Sequence, residues 1–393
     1  MKKIILALLA LLALSIASVS LAQSSVTVYG ILDVGYIGTN YNGTGSSMSS
    51  KETTNAIGQS AEQNSRLGFK GSEDLGGGTQ GIFTIETGIT PNSSTASTFN
   101  NRQTFVGLHQ NGLGAVTIGT QYTPIFNAVG LTDPGQQNNI VGDVIYAANP
   151  QASASNPGTA PYEATSSTAS TVDSLTIRTT NTLIFTSDTF NGFSGNIMTT
   201  QNSQNSNQTS STAGGTTNYT GYGIGLNYAW HKLYLVGAYQ TLKSYQSAST
   251  LSSPTPVIWN TSSGGTNMKD NQSYLAGTYD FGILKAYLQY INRKAIDTVN
   301  QNYYTSRTAQ QIGVRGYLTP TIEGWASIGN GKIASFGTGQ PAAGFVGFQL
   351  GSNYWLSKRT NLYAIYGQTN TFATSVTQDL TANNYAVGIR HTF

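Results

Sequence analysis

The sequence predicts an all-β fold: a closed, 16-stranded antiparallel transmembrane β-barrel with short turns at one rim and long loops at the other. Three observations predict it. Nearly every ordered-looking segment alternates with a period of two, and sixteen such runs can be counted along the chain. The connections between them alternate short and long, the rhythm of an up-and-down barrel in an outer membrane. Only 9% of residues are charged, against roughly a quarter in ordinary soluble domains, yet the polar residues fall on one face of the runs and the apolar residues on the other.

The amino terminus fixes the compartment. Met1-Lys2-Lys3 is a short basic region, residues 4–17 are an apolar helix-forming run, and Ser20-Leu21-Ala22 offers the small residues that a signal peptidase reads. Residues 1–22 are therefore expected to be a cleaved signal peptide and 23–393 a single barrel domain. Without Lys2 and Lys3, the 19 basic residues fall to 17 against 16 acidic ones, a near-neutral balance that gives no reason to expect nucleic acid. Beyond the signal peptide no apolar stretch is long enough to cross a bilayer as a helix. Cysteine is absent, so no disulfide braces the exported chain.

The runs lie at 25–37, 62–71, 79–89, 101–109, 114–121, 176–187, 193–201, 218–229, 231–243, 271–281, 283–293, 307–318, 321–330, 343–356, 359–369 and 383–393. The short connections are EDLGGG (73–78), NGLG (111–114), FNG (190–192), a break at Trp230-His231, DFG (280–282), LTPT (318–321) and Ser357-Lys358. The long ones, such as TNYNGTGSSMSS and TTQNSQNSNQTSSTAGG, are rich in Ser, Thr, Asn and Gly. A secreted sandwich or β-helix would alternate too, but a sandwich of this length splits into modules of about 100 residues with apolar inner faces. Here Lys285, Gln289 and Arg293 share one face while Leu284, Ala286, Leu288 and Tyr290 share the other. Polar interior positions suit a water-filled cylinder in lipid. The last run alternates right to the terminal Phe393, which a closed barrel requires: its final strand must pair with the run at 25–37.

The charged residues in these runs can be placed by alternation. Leu67 and Phe69 fit the lipid face, so Arg66 and Lys70 point into the lumen. Phe83, Ile85 and Ile89 turn Glu86 inward, Arg102 opens its strand with Phe105 on the opposite side, and Arg178 alternates against Ile177 and Leu183.

Several stretches resemble the general porins of Burkholderia, Bordetella, Neisseria and related Gram-negative bacteria: SSVTVYGILDVGY, NSRLGFKGSEDLGGGTQGIFTIETG, RQTFVGL, GAVTIGTQYTP and the closing VGIRHTF. The resemblance covers both ends and most strands. It implies a sixteen-stranded barrel of the cell outer membrane, a homotrimer, and a third long loop folded inward to narrow the channel. Residues 122–172 supply that loop, opening with YTPIFNAVGLTDPG. The resemblance also matches Arg66, Arg102 and Arg178 to a wall of arginines, with Glu86 and, on the loop, Asp133 and Asp143 as the facing carboxylates. Such an arrangement sets a transverse field across a narrow pore and, with cations in excess, a weak anion preference. The bland alternative is that each arginine is salt-bridged and only holds the loop.

The function expected is passive diffusion of small hydrophilic solutes and ions. A channel preferring sugars or aromatic solutes and a barrel-framed adhesin are the alternatives. The expected partners are outer-membrane lipid and lipopolysaccharide, and the assembly machinery through the strand ending in Phe393. No cofactor is expected. His109, His231 and His391 are widely separated and offer no metal cluster. GGGTQG lacks the Lys-Ser/Thr pair of a phosphate cradle, and no histidine adjoins an acidic residue in sequence, so enzymatic activity is not expected.

Overall fold

The computed structural model describes residues 25–43, 51–92, 100–147, 174–210, 213–248, 267–298, 301–337, 342–373 and 379–393. The expected signal peptide and residues 148–172 of the third loop lie outside them. The strands are β1 (Ser25–Gly43), β2 (Lys51–Gln59), β3 (Arg66–Gly76), β4 (Thr79–Gly88), β5 (Asn100–Gln110), β6 (Gly114–Tyr122), β7 (Arg178–Ser187), β8 (Phe193–Ser210) and β9 (Ala213–Trp230). They continue with β10 (Leu233–Ala248), β11 (Met268–Asp280), β12 (Lys285–Asp297), β13 (Tyr304–Tyr317), β14 (Ile322–Phe336), β15 (Ala343–Trp355), β16 (Thr360–Ala373) and β17 (Asp379–Thr392), with one helix, α1 (Pro124–Thr132), between β6 and β7.

Seventeen strands make sixteen staves because β2 and β3 are collinear. Val34–Asn42 of β1 pair with Gln59–Lys51, and Ser25–Ile31 pair with Ser72–Arg66. Both strands therefore follow the same edge of β1. Between them the chain leaves the ladder at Ser60, whose φ of 62° breaks the extended run. Asp33 holds this detour. Its Oδ2 accepts from the Glu62 and Gln63 amides at 2.8 and 2.7 Å, and its Oδ1 accepts from the Tyr363 hydroxyl at 2.6 Å.

The barrel closes between β17 and β1, from Ile31 opposite Thr392 to Gly43 opposite Leu380. Pairing runs to the last residue: Gly30 donates to Phe393 O at 3.0 Å, and Phe393 donates back at 3.1 Å. The Phe393 ring lies across Gly30, where a Cβ would collide with it. The terminal aromatic is thus the end of a stave. The ladder at that seam is continuous from Gly30 to Gly43, as closure in lipid requires.

The two faces are inverted relative to a soluble protein. Leu226, Leu275 and Leu288 are 62%, 60% and 61% exposed on the outside. Gln240, Gln272, Gln289 and Gln311 are buried on the inside. A packed core would exclude four such amides. They serve here because an irregular loop crosses the lumen, and its backbone needs donors and acceptors away from bulk water.

The long polar connections differ from expectation. TTQNSQNSNQTSSTAGG reads as a loop, but β8 and β9 pair through Ser206 opposite Gly215 and again at Ser210 opposite Ala213. The first strand likewise runs to Gly43, beyond the expected 37. Ladder formation depends on the backbone, whereas hydrophobic alternation reports only the part of a strand in hydrocarbon. The alternation fades at the membrane surface while the hairpin continues into water. The tight turns match their sequences: Gly76, Gly77 and Gly78 have φ of 83°, 62° and 80°, a region glycine enters without a Cβ penalty.

Candidate functional site

Residues 123–147 fold into the barrel. The Thr123 side chain caps α1 by accepting from the Phe126 amide at 3.3 Å, and Pro124 occupies the first turn, where its missing N–H costs nothing. One side of the helix and the loop beyond it bury Ile125, Val129 and Ile145 against Tyr274, Ile291 and Phe345 of the inner wall. The wall amides satisfy the loop backbone. Gln311 Oε1 accepts from the Val144 amide at 3.0 Å, Gln272 Oε1 from Thr176 at 2.9 Å, and Gln349 Nε2 donates to Val141 O at 3.0 Å. Arg307 Nη2 donates to Val144 O at 2.7 Å.

The half of the lumen left open holds a cavity of about 490 Å³ between the other face of the loop and the wall of β1, β3, β4 and β5. On the wall side Arg66, Lys70, Glu86 and Arg102 line it with Tyr29 and Tyr122. Glu86 is the hub. Its Oε1 accepts from Arg102 Nε at 2.8 Å and from the Tyr122 hydroxyl at 3.2 Å. Its Oε2 accepts from the Tyr29 hydroxyl at 3.1 Å and lies 3.7 Å from Arg66 Nε. Arg102 Nη2 donates to the Tyr122 hydroxyl at 2.8 Å, and Lys70 Nζ stands 5.5 Å over the Tyr29 ring. Two guanidinium groups thus flank one carboxylate, and Lys70 adds a third cation to the same wall, leaving it basic.

Arg102 arrives there by a route the alternation does not give. The register shifts between Glu86 opposite Gln103 and Thr87 opposite Asn101. This β-bulge leaves Arg102 unpaired in the ladder and turns it inward beside Gln103. Phe105 stands opposite Thr84, on the lumen side with Glu86, and so shares the face of Arg102 rather than opposing it.

Among the described residues, the loop side of the cavity carries no charge. Phe126, Asn127, Leu131, Gln136 and Gln137 line it. The expectation that Asp133 and Asp143 face the arginines is corrected here: both are 2% exposed, and neither lines the cavity. Asp133 Oδ2 accepts from the Gln137 amide at 2.6 Å, and Asp143 Oδ1 accepts from the Ile145 and Tyr146 amides at 2.7 and 2.8 Å. Their remaining oxygens have no other partner and face each other. Burial, and then the neighbouring Asp143 carboxylate, hold Asp133 well above the usual carboxylate range. Both aspartates act as turn-formers inside the loop because their backbone partners lie two to four residues away. Arg178 is also absent from the cavity lining. It is 1% exposed and lies within electrostatic reach of Arg102, Tyr122 and Tyr146.

Sequence reasoning missed α1, although the Thr123-Pro124 start is a helix signal, and while it set Gln289 on the polar inner face it did not assign the wall glutamines to holding the loop backbone. It also missed Tyr29, Tyr122 and the loop amides, which carry no charge to draw attention.

A family model described as Gram-negative porin matches residues 7–374. Outer membrane porin protein 32 of Delftia acidovorans is 36% identical over 118 residues, covering 30% of this chain and 32% of that protein. The chain therefore spans about a third of that relative. An outer membrane porin protein of Bordetella pertussis is 26% identical, with 100% of both chains covered. Among solved structures, an anion-selective porin from Comamonas acidovorans superposes with a TM-score of 0.65 at 21% identity, over 94% of this chain and 100% of that one. A trimer form of OmpT of Vibrio cholerae superposes with a TM-score of 0.58 at 13% identity, over 94% and 99%.

Proposed function

The chain belongs to the Gram-negative porin family of the outer membrane, and from that premise we propose that it is a diffusion channel whose constriction favours anions. One observation carries the preference: Arg66, Lys70 and Arg102 face a loop surface of Asn127, Gln136 and Gln137, while the loop carboxylates Asp133 and Asp143 are buried elsewhere. A basic ring without a facing acidic ring raises the local concentration of anions, and low-dielectric walls strengthen its field. Among the described lining residues, Glu86 alone offsets it. Solutes are otherwise sorted by size, because the loop amides and tyrosines offer hydrogen bonds to any hydrophilic solute.

The homotrimer implied by the family resemblance has its own support. On the outer face of β16, β17, β1 and β2, the Tyr366 hydroxyl bonds Asn383 at 3.4 Å, Gln368 bonds Asn370 at 3.0 Å, Tyr385 bonds Asn55 at 2.6 Å and Thr53 bonds Asn40 at 2.9 Å. This concentration of amides and hydroxyls, already paired with one another, suits contact with a second copy better than contact with acyl chains.

The test is the reversal potential of the refolded protein in a potassium chloride gradient. The wild type is expected to show the sign of chloride preference, and Arg66→Gln with Lys70→Gln to move the potential toward zero. A potential unchanged by the double substitution would remove these residues from the conduction path. In the same recordings, current arriving in groups of three equal steps supports the trimer.

A further inference from the structure

The stave formed by β2 and β3 is too long for its partner. On β1 only Leu32 and Asp33 lie between Val34, opposite Gln59, and Ile31, opposite Arg66. Six residues, 60–65, stand against those two. The surplus has to leave the wall, and a segment of that length folded back on itself reaches about 10 Å. A detour into hydrocarbon would strand its backbone amides and carbonyls, so it turns inward. Ser60, Ala61, Glu62 and Ser65 are buried there, while Gln63 and Asn64 line the open cavity beside Arg66.

Asp33 and Asn139 hold the detour from opposite sides. From the wall, the Asp33 carboxylate accepts from the Glu62 and Gln63 amides at 2.8 and 2.7 Å, and its backbone carbonyl accepts from the Ser60 amide at 2.9 Å. From the loop, the Asn139 backbone amide donates to Ala61 O at 2.9 Å. Its side-chain Nδ2 donates to Ser60 O at 2.6 Å and to Asn64 Oδ1 at 2.9 Å. The residues flanking Asn139 are anchored in turn. Ile140 joins Ala61 in an apolar cluster with Ile37, Trp325 and Tyr363, and Asn138 Nδ2 donates to Gln349 Oε1 at 2.9 Å. Glu62 ties the detour to the far wall, accepting from Asn361 Nδ2 at 3.0 Å and lying 3.4 Å from Arg390 Nε.

These contacts close a ring around the open half of the lumen. It runs from Arg66 on the wall to Asn64, across to Asn139, along the loop past Gln137, and back from Tyr122 to Arg102 at 2.8 Å. Pore diameter sorts solutes, and neither the detour nor the loop tip belongs to a ladder that would fix their separation. The Asn139 bonds fix it instead. We propose that residues 60–65 are a second constriction element of the channel, and that Asp33 and Asn139 are positioning residues that set its size limit by fixing this detour against the loop. Gln63 and Asn64 are the groups of the detour that a passing solute meets. The proposal rests on the diffusion-channel reading but not on the anion preference.

The test is liposome swelling by the refolded full chain in arabinose, glucose, sucrose and raffinose, neutral sugars of rising size that do not report ion preference. Folding is read from the migration shift between unheated and heated protein in a detergent gel. Asn139→Ala and Asp33→Ala are expected to raise the raffinose rate relative to arabinose by at least about twofold, because permeation near the size limit is steep in pore diameter. Asp33→Asn keeps an acceptor for both amides and is expected to match the wild type. Gln63→Ala plus Asn64→Ala removes the pore-facing side chains and is expected to relax the same ratio in a folded barrel. The proposal is overturned if folded Asn139→Ala or the double variant keeps the wild-type ratio, or if Asp33→Asn relaxes it as far as Asp33→Ala does. Should a single alanine variant fail to fold, the double variant decides. Wild-type protein that admits none of the four sugars would overturn the channel reading itself, a result distinct from an unchanged ratio.

Discussion

Glu86 shows how one side chain sets both the charge and the shape of the constriction. It accepts from Arg102, Tyr122 and Tyr29 and lies beside Arg66, so it gathers residues from β1, β3, β5 and β6 onto one wall. Glu86→Gln removes the offsetting charge and one charge-assisted bond. The reversal potential is expected to move further toward chloride, and the folded form to lose about 1–3 kcal/mol, read as a lower thermal midpoint in detergent. A shift toward potassium would contradict the charge count. Arg66, Lys70 and Glu86 were legible from strict alternation. Arg102 was placed inside as well, but with Phe105 opposite; the bulge at Glu86/Thr87 puts both on the lumen side. A bulge changes parity without changing composition, so nothing in the run RQTFVGL announces it.

At the scale of elements, the loop at 123–147 is bound to its wall by apolar contacts on one side and by wall amides throughout. The acid pair inside it responds to pH. Asp133 binds its proton more tightly in the folded loop than in the unfolded chain, because burial and Asp143 raise it. Stability from that proton is complete below the ordinary aspartate range and is lost as pH rises through the raised value. Hydrogen exchange of the α1 amides is therefore expected to quicken with rising pH beyond the intrinsic rate, and Asp133→Asn to abolish that excess. An excess of the same size in the variant would dissociate the pair from loop stability. Strand order and closure were legible because hydrocarbon imposes alternation on each stave. Loop side-chain direction was not, since an irregular segment has no period. Asp133 and Asp143 look available in sequence, yet they spend their oxygens on the loop's own amides.

The whole molecule divides its surface by solvent. Lipid meets leucines on the outside, water meets arginines and amides within, and the two rims differ in loop length. This inversion explains the unusual composition: with few charges overall, the described ones gather in the lumen and toward the two rims. The number and order of the staves could be read from sequence because each stave must satisfy the same two solvents, whereas β2 (Lys51–Gln59) and the continuation of β8 and β9 could not, since hydrophobic alternation does not mark them. The absence of cysteine allows a direct measurement with no background. Single cysteines at Lys70, Gln136, Asp143 and Val387 would be exposed, one at a time, to an anionic membrane-impermeant thiol reagent during single-channel recording. Stepwise loss of current is expected at 70 and 136 and none at 143 or 387. Reaction at 143 as fast as at 136 would return the loop carboxylates to the pore and contradict a basic wall facing an uncharged loop.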